Sequence, residues 1–107
     1  MSTQMRKGCL ELAVLALLAA EPRYGADIVD SLAARPGLEA TSGTIYPLLT
    51  RLKNAKLVET SWRESPAGPP RKYYSLTPAG RHQLAMQRNA WVKLSTAIAT
   101  LLKEVER

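Results

Sequence analysis

The chain has 107 residues, 46% of them apolar, and 15 Lys and Arg against 9 Asp and Glu, for a net charge of +6. That length supports one small core and excludes two, and the apolar fraction excludes a wholly disordered chain. With one cysteine, Cys9, and one histidine, His82, an internal disulfide is impossible, and a Cys/His metal cluster or His-based catalytic dyad is improbable. The positive balance favours a polyanionic partner, either nucleic acid or an anionic membrane surface.

The charge is unevenly spread. Residues 1–39 carry 4 basic and 5 acidic side chains, residues 40–81 carry 7 and 2, and residues 82–107 carry 4 and 2. The middle segment is therefore where a polyanion contact is expected. No cleavage pattern of a signal peptide follows Arg6-Lys7, and the apolar run after it is shorter than the roughly 20 residues needed to span a bilayer. A cytoplasmic protein without a membrane span is expected.

The first element runs from Gly8 to Ala20, an Ala- and Leu-rich helix interrupted only by Glu11. A helix apolar on nearly every face cannot lie on a solvated surface. A domain this small covers only one side of it, so the other side is expected to meet a partner subunit. Glu21-Pro22-Arg23 ends the helix, and a second runs from Tyr24 to Ala34 with Ile28 and Leu32 facing inward.

After the Arg35-Pro36-Gly37 turn, Thr41-Ser42 offers N-caps for a third helix. Its stripe is Ile45, Leu48, Leu49 and Leu52, at i, i+3, i+4 and i+7. Pro47 is expected within its first turn, where a missing N–H costs least.

Beyond Lys56 the period becomes two. Val58, Thr60 and Trp62 alternate with Glu59, Ser61 and Arg63, a Pro- and Gly-rich tip spans residues 65–70, and Arg71 to Thr77 returns as the second strand. Trp62 reads as a packed strand residue. Thr77-Pro78, an N-cap followed by an N1 proline, opens a last helix reaching Val105. Its Leu84, Trp91, Leu94, Ile98, Leu101 and Val105 form the seam of a helix pair, interrupted at Gln87 and Arg88.

This order gives a mainly α fold with a β-hairpin: a winged helix-turn-helix over residues 1–77, and a C-terminal dimerisation helix over residues 78–107. In such a module the third helix enters the major groove and the hairpin grips the flanking backbone. Arg63, Arg71 and Lys72 sit on the hairpin beside a tip with few side-chain atoms, where cations approach phosphates closely.

Four stretches carry a family resemblance. They are Arg6-Lys7-Gly8 into Leu15-Ala16-Leu17-Leu18, Tyr24-Gly25-Ala26-Asp27-Ile28, the block from Ser42-Gly43-Thr44-Ile45-Tyr46-Pro47 to Leu52, and Arg71-Lys72-Tyr73-Tyr74-Ser75-Leu76-Thr77 with Gly80. The chain resembles PadR-type transcriptional regulators of the compact kind with one C-terminal helix.

The resemblance implies a homodimeric repressor of a palindromic operator in double-stranded DNA, relieved by a small molecule or stress signal. It carries the recognition-helix role to Ser42, Thr44, Tyr46, Thr50 and Arg51, and the wing role to Arg71 and Lys72; Lys53 and Arg63 join them as cations on the same elements. Lys56 departs from the family pattern, which has Gly there. If the position is left-handed, Lys costs about 1 kcal/mol relative to Gly.

A twofold axis would bring Trp91 beside its copy, giving two flat faces able to hold a small hydrophobic effector or a planar, often cationic, aromatic one. Leu94 and Leu15 are the other candidate residues for lining that ligand site. Cys9 reads as an inert buried thiol and His82 as a surface residue. No phosphate loop, spaced carboxylate pair or nucleophile motif appears, and neither a metal nor a cofactor is expected. The alternatives are a winged-helix protein-interaction module without DNA binding, disfavoured by the charge of residues 40–81, and a small enzyme.

Overall fold

A computed structural model describes residues 3–106. In chain order these form α1 (Thr3–Ala20), β1 (Arg23–Tyr24), α2 (Gly25–Ala33), α3 (Ser42–Asn54), β2 (Val58–Ser65), β3 (Gly68–Leu76) and α4 (Pro78–Val105). The strands make one antiparallel sheet in the order β1-β3-β2. This is the winged-helix architecture expected, with a long last helix.

α1 starts five residues before Gly8, because the Gln, Met, Arg and Lys preceding it are good helix formers. Its Leu10, Val14, Leu15 and Leu18 are enclosed against Ile28 and Leu32 of α2 and the stripe of α3. All four predicted stripe residues of α3, Ile45, Leu48, Leu49 and Leu52, are buried. Val58, Tyr74 and Leu76 close the core from the sheet.

Pro47 does not lie in the first turn. It is the sixth residue of α3 and has no N–H to offer the Gly43 carbonyl one turn back. Both residues are exposed, so water can serve that carbonyl.

The end of α3 is locked to the start of α4. Lys56 has φ 63°, the left-handed conformation its departure from glycine put in question. Leu57 N–H donates to the Leu52 carbonyl at 3.0 Å and Lys56 N–H to the Lys53 carbonyl at 2.9 Å, the paired bonds of a Schellman motif. Thr77 then bridges the two helices. Its Oγ1 donates to the Lys56 carbonyl at 2.7 Å and accepts the Gly80 N–H at 3.0 Å, while its N–H donates to the Leu57 carbonyl at 3.1 Å. Gly80 is required there, since a Cβ would stand 2.0 Å from the Leu57 carbonyl oxygen.

The wing is longer and tighter than its sequence suggested. β2 runs through Ser65 and β3 begins at Gly68, so the turn is Pro66-Ala67 rather than a six-residue tip. The register slips between Arg63↔Arg71 and Ser65↔Gly68, which places Pro69 and Pro70 at a bulge. β1 pairs with β3 only at Tyr73 and Tyr74, so near the tip β3 has an open edge and the prolines' missing N–H groups are tolerated.

α4 is about 42 Å long at 1.5 Å per residue and stretches the molecule to 57 × 27 × 22 Å. Leu84 packs on the core, and Gln87 Nε2 donates to Glu11 of α1 at 2.7 Å. That bond explains the interruption of the apolar seam at Gln87. From Trp91 to Val105 the seam residues are exposed on this chain.

Candidate nucleic-acid interface

Ser42, Thr44, Tyr46, Thr50, Arg51 and Lys53 all lie on the exposed side of α3, opposite its buried stripe. Three of them border hollows on its two flanks. Thr44 and Arg51 border α1 beside Lys7, around a cavity of about 260 Å³. Tyr46 faces α2 and the wing across a cleft of about 400 Å³, whose far wall carries Arg71 and Lys72. Recognition helix and wing therefore share one concavity.

The side chains differ in how free they are. Thr50 donates its hydroxyl to the Tyr46 carbonyl at 3.1 Å, bonding within its own helix. Arg51 is 3.6 Å from Glu11, which tethers its guanidinium toward α1. This pair is half exposed, so the tether is worth little and a phosphate could replace it. Lys53 joins no ion pair among the described residues.

The wing cations are held by aromatic faces. Arg63 lies 4.5 Å over the Tyr73 ring and Arg71 lies 4.4 Å over the Tyr24 ring, and these two rings meet edge-on at 5.5 Å. On the other face of the ribbon Lys72 is 5.8 Å from the Tyr74 ring. Stacking restrains the guanidinium planes while leaving their N–H edges for oxyanions. Tyr24 was missed as part of this site. Its two-residue strand shows no alternation, and only pairing with β3 reveals its place.

Tyr46 is packed on one side and open on the other. Its ring packs on the backbone of Gly25, where an added Cβ would come within 2.5 Å, yet 43% of the residue is exposed. Tyr74 is almost sealed. Burial pushes its phenol above the ordinary tyrosine range, and the neighbouring Tyr46 adds to the shift.

Three readings need correction. Trp62 is not packed, being 69% exposed; it lies on the face of Val58 and Thr60, but the wing has by then outrun the core. Leu15 cannot line a ligand site between subunits, because it is fully enclosed in this chain's own core. The α1 wall of the groove beside α4 is Leu12 and Ala16, and it faces Leu84, Trp91 and Val92 across about 970 Å³. Cys9 is only half buried and borders a second groove with Met5, Trp91 and Leu94. Trp91 and Leu94 are exposed beside α1, and His82 is exposed as expected.

The geometry is that of a winged helix-turn-helix, and comparison with known proteins agrees: the PadR-like transcriptional regulator family matches residues 14–86. The chain belongs to the PadR-like family of transcriptional regulators. A PadR-like transcription factor from Bacteroides fragilis is 44% identical, covers 92% of this chain and 95% of its own, and superposes with a TM-score of 0.77. A PadR-like regulator from Bacillus cereus is 37% identical over 94% of this chain and 97% of its own, with a TM-score of 0.86. A Streptococcus transcriptional regulator is 36% identical over 94% and 98%, with a TM-score of 0.84.

As a PadR-like protein the chain is a DNA-binding transcriptional regulator and not an enzyme. No helix among the described residues is long and apolar enough to cross a membrane.

Proposed function

We propose that this PadR-like protein is a cytoplasmic homodimeric repressor that binds a palindromic operator and is released by a small planar ligand at the subunit interface. The observation that carries the DNA contact is the shared cleft, with Tyr46 of the recognition helix on one wall and Arg71 and Lys72 of the wing on the other. In this reading residues 1–77 form the DNA-binding unit and residues 78–107 the dimerisation helix. Ser42, Thr44, Tyr46, Thr50, Arg51 and Lys53 meet the major groove and its edges, while Arg63, Arg71 and Lys72 meet phosphates.

Support for the dimer comes from α4. Trp91, Leu94, Ile98, Leu101 and Val105 are all exposed at helix-pair spacing, and a second copy is the simplest cover for them. The ligand reading rests on the groove of Leu12, Ala16, Leu84, Trp91 and Val92. Arg81, Arg88 and Lys93 also border that groove and no carboxylate does, so a planar anion suits it better than the cation expected above. Such a ligand acts by preferring a dimer whose recognition helices are wrongly spaced, and it shifts occupancy only by its differential affinity for the two states.

The test is footprinting on the DNA upstream of the protein's own coding region. Protection of an inverted repeat, with half-sites about one helical turn or a related spacing apart, is expected. Absence of any protected repeat there and across a genomic selection contradicts the proposal.

A further inference from the structure

The cleft between α3 and the wing is also bounded by the start of α2. This helix is nine residues long and begins without a side-chain cap, so its leading N–H groups lack intrahelical partners and carry the positive end of the helix dipole. Both Gly25 and Ala26 border the cleft: Gly25 is buried under the Tyr46 ring, and Ala26 beside it is exposed with only a methyl side chain. The first turn holds one carboxylate, Asp27. It is engaged by Arg23 at 3.3 Å and by Ser31 at 3.5 Å, and it does not border the cleft.

Two phenols complete the site. The Tyr46 hydroxyl lies 2.7 Å from where a Gly25 Cβ would stand, at the mouth of α2. Tyr74, 7% exposed, borders the same cleft, and its hydroxyl has no hydrogen-bond partner among the described residues. No buried side-chain oxygen among the described residues is left unsatisfied, so that hydroxyl keeps access to solvent. Arg71 and Lys72 supply the charge. One cleft is thus bordered by a helix N-terminus, two phenols, a lysine and an arginine, with no acidic side chain among its lining residues, a set of donors suited to a tetrahedral oxyanion.

We infer that this cleft is a phosphate seat, taking one backbone phosphodiester of duplex DNA between the α2 N-terminus, Tyr46, Tyr74 and the root of the wing. The inference rests on the DNA-binding reading above. A phosphodiester is favoured over a free phosphate compound because the cleft is shared by the two elements that would straddle the DNA backbone. The seat makes Tyr46 a backbone clamp rather than a reader of bases, and gives Tyr74 a role beyond the core.

The experiment uses Tyr46→Phe, Tyr74→Phe and the double variant, each of which removes only an oxygen and keeps the ring. Binding is followed by fluorescence anisotropy of a labelled duplex of arbitrary sequence across a salt series, with thermal melts confirming that each variant is folded. Loss of these neutral donors lowers the affinity of the double variant about tenfold or more at every salt concentration, with the salt slope unchanged. Lys72→Gln, by contrast, flattens the slope by about one phosphate contact per protomer. Wild-type affinity in the double variant, when the wild type itself binds the duplex, overturns the seat and leaves the DNA reading standing. No binding by the wild type at low salt overturns both. A melting temperature raised by inorganic phosphate at fixed ionic strength in the wild type but not in the double variant, with equal duplex affinities, reassigns the cleft to a free phosphate and overturns the assignment to DNA.

Discussion

Gly25→Ala is predicted to destabilise this protein, and to do so only because of Tyr46. The new methyl would stand 2.5 Å from Cε1, 2.7 Å from the hydroxyl and 2.8 Å from Cζ of the Tyr46 ring, where no real contact is tolerated. Either the ring swings out or α2 shifts, and overpacking of this kind costs about 1–3 kcal/mol. Gly25 does not have a positive φ, so nothing in its backbone conformation opposes alanine. With the ring removed by Tyr46→Ala, the same change should become favourable by up to about 1 kcal/mol, since alanine is the better helix residue. The coupling between the two sites is then about 1–4 kcal/mol, the sum of those opposed effects. Urea denaturation of the wild type, both single variants and the double variant, at one protein concentration, reads it directly. An equal cost of Gly25→Ala in both backgrounds would refute the steric account of this position.

Other consequences follow from the junction between α3 and α4. Lys56→Gly should stabilise the fold by about 1 kcal/mol, because φ 63° is strained for lysine and free for glycine; a thermal melt at fixed concentration shows it as a rise of roughly 4–8 °C. Gly80→Ala places a Cβ 2.0 Å from a backbone carbonyl oxygen that has no rotamer to escape into, so it should cost about 3 kcal/mol or more by denaturation. Thr77→Ala removes both side-chain bonds of the junction, and should cost about 1–3 kcal/mol in the same assay. Planar anionic dyes should quench Trp fluorescence, and quenching that persists unchanged in Trp91→Ala would remove Trp91 from the proposed ligand site.

Much of the fold could be read from residues because local and global signals coincide. The stripe of α3 and the Thr77-Pro78 start of α4 were visible since capping and hydrophobic period agree with the final packing. The lysine at position 56 stands where the family pattern that the chain resembles has glycine, and this raises the question of the left-handed conformation found there. What stayed hidden depends on partners distant in sequence. β1 is two residues long and exists only through Tyr73 and Tyr74. Trp62 follows the core-facing alternation yet is exposed, because period fixes a face of a strand but not where the core ends. Leu15 and Leu12 are both apolar in a helix apolar all round, and only the placement of α4 shows which one faces outward. The cleft joins residues 24–26, 46, 71, 72 and 74 from four elements, so no single stretch of sequence displays it.

The central claim is that paired subunits set α3 against duplex bases while the cations of the wings hold the phosphates. Its most direct test compares the salt dependence of duplex binding for the wild type and a variant with Arg63, Arg71 and Lys72 all changed to Gln. Three contacts on each of two protomers predict that the slope of log affinity against log salt becomes shallower by about five. An unchanged slope, or a wild type that does not hold duplex at low salt, contradicts the account.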